Sequence, residues 1–203
     1  MIHFKNLLTI NIKEEFEKNK DKVNSKTPRE HQVKAHKDMS KFFLQDDKDA
    51  GILALPTGGG KTFLAANSIK PIFDSMPHIH PKAVVWLVPS DAILTQTYRT
   101  LTDKNHDYRK KIDVDFGNKV EIYSKQQLLN GQNFNPTSVS DNLSVFVLSY
   151  DSFRTSKKDG RKAYQENGSL LPFVRFKQDS GSLLEDTDET ALIQVIRKLN
   201  PVV

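Results

Sequence analysis

The stretch GILALPTGGGKTFLAA, residues 51–66, constrains the fold of this 203-residue chain more than any other part of its sequence. A short apolar run leads into three consecutive glycines, a lysine and a threonine, and a second apolar run follows directly. A strand, a glycine loop and a helix in this order bring several backbone N–H groups to the helix N-terminus, where an anion can bind. The sequence therefore predicts a phosphate-binding loop between a strand at residues 51–55 and a helix that begins near Lys61.

The loop departs at one position from the strict pattern for nucleotide phosphates, G-x-x-x-x-G-K-[ST], because Leu55 stands in place of the first glycine. The rest of the pattern is intact, so we expect Lys61 to bind the β and γ phosphates and the Thr62 hydroxyl to bind Mg²⁺. A glycine turn beside an exposed lysine is the alternative. The residues predicted to bind the cofactor here are Thr57, Gly58, Gly59, Gly60, Lys61 and Thr62, of which Lys61 and Thr62 are the predicted catalytic residues.

Composition excludes several classes of site. The chain has no cysteine, which rules out disulfides, cysteine-ligated metals and a cysteine nucleophile. Its net charge of +5 comes from 30 bases interspersed with 25 acids, a balance that permits contact with nucleic acid without establishing it. No apolar run approaches the roughly 18 residues that span a membrane, and the N-terminus lacks the uninterrupted apolar core of a signal peptide. We therefore expect a cytoplasmic protein with no membrane segment.

Apolar runs typical of buried strands alternate with helical patterns along most of the chain. The runs AVVWLVP, KVEIYS and LSVFVLSY have this character, and the final PVV is predicted to open another buried strand. The alternation predicts an α/β fold with a mainly parallel sheet and helices on both faces. We expect an N-terminal helical extension over residues 1–27 and one partial domain over 28–203, with an irregular polar insertion at about 154–189.

Three motifs together resemble a known family. The loop LPTGGGKT, the upstream PREHQ and the downstream WLVPSDAILTQT resemble the superfamily 2 helicases and translocases, which include the DEAD/DEAH-box proteins, and in particular the motor (Res) subunits of type III restriction enzymes. The resemblance runs from about Thr27 to Phe153, with the motifs in the family's order. It implies a RecA-like P-loop fold, the first motor lobe of a helicase, with ATP and Mg²⁺ as cofactors.

The upstream motif carries the predicted adenine contact. By the resemblance, Arg29 and Gln32 match an R-x-x-Q element whose glutamine reads the adenine edge in this family. The chemistry is suitable, because a glutamine amide offers both a donor and an acceptor. The alternative is that Gln32 is a polar residue on an exposed helix face.

The downstream motifs carry the predicted nucleic-acid contacts. Pro89, Ser90, Ile93 and Gln96 match the motif Ia element P-[TS]-x-x-L-x-x-Q, with isoleucine where leucine is usual, and the resemblance assigns this element to the phosphate backbone of DNA. An ordinary capping turn between strand and helix is the alternative. The weaker stretch VFVLSYDSF resembles a later strand that ends near nucleic acid, with a buried strand and a turn as its alternative. The residues predicted to contact nucleic acid are Pro89, Ser90, Gln96, Ser149 and Tyr150.

The bases of the predicted insertion have two interpretations. They can widen the phosphate track, or they can belong to a solvated loop. They are Arg154, Lys157, Lys158, Arg161 and Lys162.

An ATPase of this class also needs a carboxylate pair after a buried strand. Asp151 lies two residues beyond a strand, and Glu185 and Asp186 follow only two leucines, so neither place has the right form. We therefore expect NPVV to be the first part of the Walker B strand and the chain to be truncated before its acidic end. On that expectation the 203-residue chain lacks turnover by itself.

The resemblance implies that the parent protein is an ATP-dependent DNA helicase or translocase of a restriction-modification system. It also implies a modification or specificity subunit as a partner, and an endonuclease function elsewhere. Two alternatives stay open: a non-catalytic nucleic-acid-binding module, and a P-loop kinase or GTPase of another family. A kinase or GTPase does not explain Gln32 or the element at 89–96, and the sequence has no N-K-x-D motif for guanine.

Overall fold

The computed structural model describes residues 7–11, 28–43, 50–174 and 190–203, which belong to two compact units, Met1–Pro77 and His78–Val203. The strands and helices in chain order are β1 (Leu7–Asn11), α1 (Glu30–Phe43), β2 (Ala50–Ala54), α2 (Lys61–Ser75), β3 (Ala83–Val88), α3 (Asp91–Thr102), α4 (Asp107–Asp115), β4 (Val120–Ser124), α5 (Lys125–Asn130), α6 (Pro136–Asp141), β5 (Leu143–Ser149), α7 (Lys158–Arg161) and α8 (Leu192–Leu199). Candidates Glu185 and Asp186 lie outside the described ranges.

The first unit pairs β1 with β2 in parallel, with Leu7 opposite Ala50. Over residues 7–11 the structure therefore has a strand where the sequence predicted a helical extension. The remainder of that predicted extension, residues 1–6 and 12–27, lies outside the described part of the chain. A strand of five residues beside a charged stretch carries too short an apolar pattern to be distinguished from a helix by periodicity alone.

The apolar run at 51–55 predicted a buried strand, and this is only half correct. Leu53 packs on the helices, in a small core built around Ala35 and Leu64. Ile52, whose side chain points to the opposite face of the strand, is 46% exposed. In the described part of the chain, β2 is therefore covered by α1 and α2 on the face of Leu53, and its other face is open at Ile52.

The second unit contains a parallel sheet of three strands in the order β3-β5-β4. The chain returns to this sheet at its last residues, where Val202 bridges to Val84 in parallel. The Val85 N–H donates to Val202 O at 2.7 Å, and the Val202 N–H donates to Ala83 O at 3.0 Å. The strand β3 therefore has a parallel neighbour at each edge, and the prediction that PVV begins another strand is supported.

Helices cover both faces of this sheet, which confirms the predicted α/β class. On one face, α5, α6 and α8 bury a core around Phe146 and Leu148. The neighbouring residues Val145 and Val147 point to the opposite face, where α3 packs on β5. All seven residues of β5 are buried, as its continuous apolar run predicted.

The described part of the predicted irregular insertion, residues 154–174, contains short helical turns. It consists of α7 and two short 3₁₀ turns, Lys162–Tyr164 and Gly168–Phe173. Gly160 is buried, and a Cβ at this position would lie 2.0 Å from the carbonyl oxygen of Arg154. Only glycine permits this close approach of two backbone segments.

Within the described residues no helix is both long and apolar enough to cross a membrane.

Candidate functional site

The phosphate loop lies between β2 and α2 and depends on its glycines for two different reasons. Gly58 and Gly60 have φ angles of +80° and +83°, a left-handed conformation that side chains other than glycine adopt at a cost. Gly59 is buried, and a Cβ there would lie 2.8 Å from Leu55 Cδ2. The Leu55 side chain thus packs against the loop at the position where the strict pattern has glycine.

Backbone donors at this loop are available for an anion. The first helical hydrogen bond of α2 runs from the Leu64 N–H to Gly60 O at 3.0 Å, and Gly60 has no side chain to cap the helix. The amides that make no hydrogen bond to another described residue are those of Gly58, Gly60, Lys61 and Thr62. Unbonded N–H groups at a helix N-terminus carry partial positive charge and attract phosphate.

The side chains of the loop complete an arrangement that fits a nucleotide triphosphate with Mg²⁺. The Lys61 ammonium donates to Pro56 O at 2.9 Å, so it lies across the loop it belongs to. The hydroxyls of Thr57 and Thr62 are on exposed residues. A cation, hydroxyls and unbonded amides in one loop are the donor set that polyphosphate and its metal require.

The predicted adenine residue, Gln32, is turned toward the loop. It is 8% exposed, so the alternative of a polar residue on an exposed helix face is wrong. Its Oε1 accepts the Arg29 N–H at 2.8 Å, and its Nε2 donates to Gly59 O at 3.4 Å. The Oε1 retains one further lone pair and the Nε2 one further hydrogen, which suits an adenine contact, and the adenine role stays a prediction.

The sequence reasoning missed His31. This residue is completely buried, and its Nε2 lies 3.1 Å from Gly59 O, across 28 positions of the chain. Its position directly before Gln32 in PREHQ was the available signal. Nothing in that local pattern indicates that the ring faces the phosphate loop, since a helix start carries no information about its distant neighbours.

In the second unit, the motif Ia residues lie at the end of β3 and the start of α3. The Ser90 hydroxyl accepts the Ile93 N–H at 3.5 Å and so caps α3, as the alternative interpretation expected. Pro89, Ser90 and Gln96 are nevertheless all exposed. A capping hydroxyl still has its own hydrogen to donate to a phosphate oxygen, and the predicted contact with nucleic acid stays a prediction.

The two candidates after β5 differ in accessibility. Ser149 is 2% exposed, and its N–H donates to Ser152 Oγ at 3.2 Å. Tyr150 is 55% exposed. The strands of this sheet are parallel, so their carboxyl ends meet at the same edge. Three serines lie at this edge: Ser90 after β3, Ser149 at the end of β5 and Ser124 at the end of β4. Sequence reasoning gave no role to Ser124, which caps α5.

The charges after β5 partly neutralise one another. Asp151 pairs with Arg154 and Lys157, and the Lys157 hydrogen bond is the main reason why the pKa of this carboxyl is lowered. Asp151 is therefore committed to local ion pairs, which agrees with its rejection as a Walker B carboxylate. Among the five predicted bases, Lys158 and Arg161 have no ion pair with a described residue.

A second ion pair joins α7 to α5. The Lys125 ammonium binds Asp159 Oδ2 at 2.8 Å across 34 positions, and it also donates to the Asp159 carbonyl. Lys162 lies 3.5 Å from the other oxygen of the same carboxylate. The described residues contain no cluster of His, Cys, Asp or Glu that could hold a metal by itself.

The comparisons with known proteins find one match, which is a family model. No curated protein and no solved structure matches the chain. A family model described as "Type III restriction enzyme, res subunit" matches residues 25–179, which is more than half of the chain. The matched region contains Gln32, the phosphate loop and the motif Ia element, and it confirms the RecA-like P-loop fold that these motifs implied. The chain belongs to the family of type III restriction enzyme res subunits, in its helicase-like motor region.

Proposed function

We propose that this chain is the first motor lobe of an ATP-dependent DNA helicase or translocase of a restriction-modification system, and that its phosphate loop binds ATP with Mg²⁺. The observation that carries the proposal is the group of unbonded amides around Gly60 at the start of α2, with the Lys61 ammonium beside them. Family membership supports the coupling of this site to movement on DNA.

Each residue of the loop has a distinct role in this proposal. The amides from Gly58 to Thr62 bind phosphate oxygens, and Thr62 Oγ1 contributes to Mg²⁺ binding. Lys61 exchanges the neutral Pro56 carbonyl for charged phosphate oxygens, which accept a stronger hydrogen bond from an ammonium. Arg29 and Gln32 contact the adenine. Bound ATP supplies the free energy of phosphoanhydride hydrolysis, which the complete motor converts into movement.

The proposed nucleic-acid contacts are the exposed candidates Pro89, Ser90, Gln96 and Tyr150. Hydroxyls and helix-start amides bind the sugar-phosphate backbone without reading sequence, and an exposed tyrosine can stack on a base. Ser149 is buried and enters the proposal only as the residue that positions Tyr150. A modification subunit and an endonuclease region complete the proposed system outside this lobe.

The nucleotide site is tested with Lys61→Ala and a control on the same helix. Lys70 also lies on α2, where it pairs with Asp74, so Lys70→Ala removes one positive charge away from the loop. Titration of each variant with a fluorescent ATP analogue and Mg²⁺ measures the dissociation constant. We expect Lys61→Ala to weaken binding more than about tenfold, or about 1.4 kcal/mol, and Lys70→Ala to leave it unchanged. Equal affinity of Lys61→Ala and the wild type would contradict the assignment.

Measuring DNA binding and nucleotide binding of the wild-type chain distinguishes the motor lobe from a non-catalytic nucleic-acid-binding module. Both bind DNA with an affinity that falls steeply as salt rises, because backbone contacts release counterions. Only the motor lobe binds nucleotide at physiological concentrations. DNA binding by a chain that shows no saturable binding of ATP or ADP would favour the module.

A further inference from the structure

The geometry points to His31 as a positioning residue of the nucleotide site: it fixes the peptide between Gly59 and Gly60 so that the Gly60 N–H faces the phosphates. This inference rests on the proposed ATP binding, and it adds a residue to which the sequence motifs above give no role. It is carried by one contact between the first turn of α1 and the phosphate loop.

The contact itself determines which ring nitrogen carries a hydrogen. His31 Nε2 lies 3.1 Å from Gly59 O, and the side chain is fully buried. A carbonyl oxygen only accepts hydrogen bonds, so Nε2 carries the hydrogen. Gln32 Nε2 donates to the same oxygen at a longer distance, 3.4 Å. The two donors occupy both lone pairs of the Gly59 carbonyl and direct it toward α1.

The orientation of this carbonyl determines the orientation of the next amide. In a trans peptide the C=O and N–H bonds point in opposite directions. With Gly59 O held against α1, the Gly60 N–H points away from α1, and it makes no hydrogen bond to a described residue. This is the amide that the cradle presents to phosphate, and its direction is set from the far side of the peptide.

Glycine makes such an anchor necessary. Gly59 and Gly60 have no side chain that favours one peptide orientation over the other, because glycine populates positive and negative φ about equally. A flip of this peptide would turn the Gly59 oxygen toward the phosphates, where its partial negative charge opposes binding. His31 therefore supplies from α1 the rigidity that the loop lacks by itself.

His31 and Gln32 are not equivalent anchors. Gln32 is the proposed adenine contact, and its amide also holds the Arg29 N–H, so nucleotide binding can draw it away from the loop. His31 has no proposed contact with the nucleotide. It can hold Gly59 whether or not Gln32 engages adenine.

Two substitutions separate the hydrogen bond from the packing of the ring. His31→Gln keeps an N–H donor at a similar distance from the backbone, and His31→Leu keeps apolar volume without a donor. We expect His31→Leu to weaken binding of the fluorescent ATP analogue about fivefold, as loss of one buried hydrogen bond of about 1 kcal/mol implies. His31→Gln should stay within about twofold of the wild type. Val33→Ala, on the same helix and 54% exposed, is the control and should change nothing.

A second measurement needs no nucleotide. Nitrogen-15 spectra of the wild-type imidazole should show the Nε2–H form, and His31→Leu should shift or broaden the Gly60 amide signal. A wild-type chain that binds no nucleotide would overturn the proposed function and leave this spectroscopic result standing. A neutral Nδ1–H ring, or a folded His31→Leu with wild-type affinity, would overturn the role of His31. If His31→Leu does not fold, the role of His31 is still testable. A folded His31→Gln that loses nucleotide affinity by more than about fivefold, or a wild-type ring that lacks the Nε2–H, would overturn it.

Discussion

Gly60 offers the sharpest test of how α1 and the phosphate loop are joined. Its φ is +83°, and a Cβ at this position would lie 2.3 Å from Gln32 Nε2. Gly58 is the matched control, because its φ of +80° is nearly the same and a Cβ there would meet nothing within 4 Å. Gly58→Ala thus measures the backbone strain alone, whereas Gly60→Ala measures the strain together with displacement of Gln32.

The magnitudes follow from these contacts. A side chain in the left-handed conformation costs about 1–2 kcal/mol, and both variants carry this cost. In Gly60→Ala the Gln32 amide must also move, which breaks its bonds to Gly59 O and the Arg29 N–H. Two hydrogen bonds at about 1 kcal/mol each add about 2 kcal/mol. We therefore expect Gly60→Ala to lose about 3–4 kcal/mol of unfolding free energy and Gly58→Ala about 1–2 kcal/mol.

Urea unfolding followed by circular dichroism gives these free energies, and hydrogen exchange of the α2 amides reports on the first unit separately. Repeating both substitutions in a Gln32→Ala background completes a double-mutant cycle. With the Gln32 amide removed, Gly60→Ala should cost no more than Gly58→Ala. Equal costs in the wild-type background, or no coupling between Gly60 and Gln32, would refute the proposed link between α1 and the loop.

Two further predictions concern the second unit. Arg109 is buried, pairs with Asp113 at 2.8 Å and donates to the carbonyls of Leu101 and Val120. Arg109→Met should therefore lower the free energy of unfolding in urea by about 3–5 kcal/mol, whereas the exposed control Lys111→Met should lower it by under about 0.5 kcal/mol. Equal losses in the two variants would contradict a structural role for the buried pair. The pKa of Asp159 is lowered from the ordinary carboxyl value of 3.8, mainly by its hydrogen bond with Lys125. The ion pair therefore stabilises the fold fully at pH values above that ordinary pKa, and this stabilisation is lost as the pH falls through the lowered pKa. Asp159→Asn should therefore reduce stability at neutral pH by under about 1 kcal/mol, since the carboxylate is exposed and screened; a stability difference that persists at low pH would show that the charge is not the cause.

Much of the second unit could be predicted from its sequence because its signals are local. The continuous apolar runs of β3 and β5 predicted strands that the structure contains almost to the residue. The capping turn between strand and helix that the sequence offered as an alternative is present, with Ser90 as the cap of α3. The helices α4 and α6 were not predicted. The first is held through the buried Arg109, and the second is only six residues long, so neither has the long apolar periodicity on which such predictions depend.

The accessible surface could not be predicted in the same way. Ser149 and Tyr150 are adjacent in a stretch that resembles a nucleic-acid contact, yet the first is buried and the second exposed. The five bases of the predicted insertion permitted either a phosphate track or a solvated loop, and the structure pairs three of them, Arg154, Lys157 and Lys162, with Asp151 or Asp159. Charge in a sequence is a sum over residue types, whereas the field at a surface depends on which opposite charges the fold brings within a few ångströms.

The strand, loop and helix of the phosphate site, the parallel α/β class and the family could all be predicted from the amino-acid sequence. These follow from local requirements: the backbone conformation that glycine permits, the period of apolar side chains and the order of motifs. The atoms that hold the loop in place depend instead on contacts between distant parts of the chain. His31 and Gln32 reach Gly59 across 28 and 27 positions of chain, and a contact over that separation is fixed by the packing of α1 against α2, which no local pattern encodes.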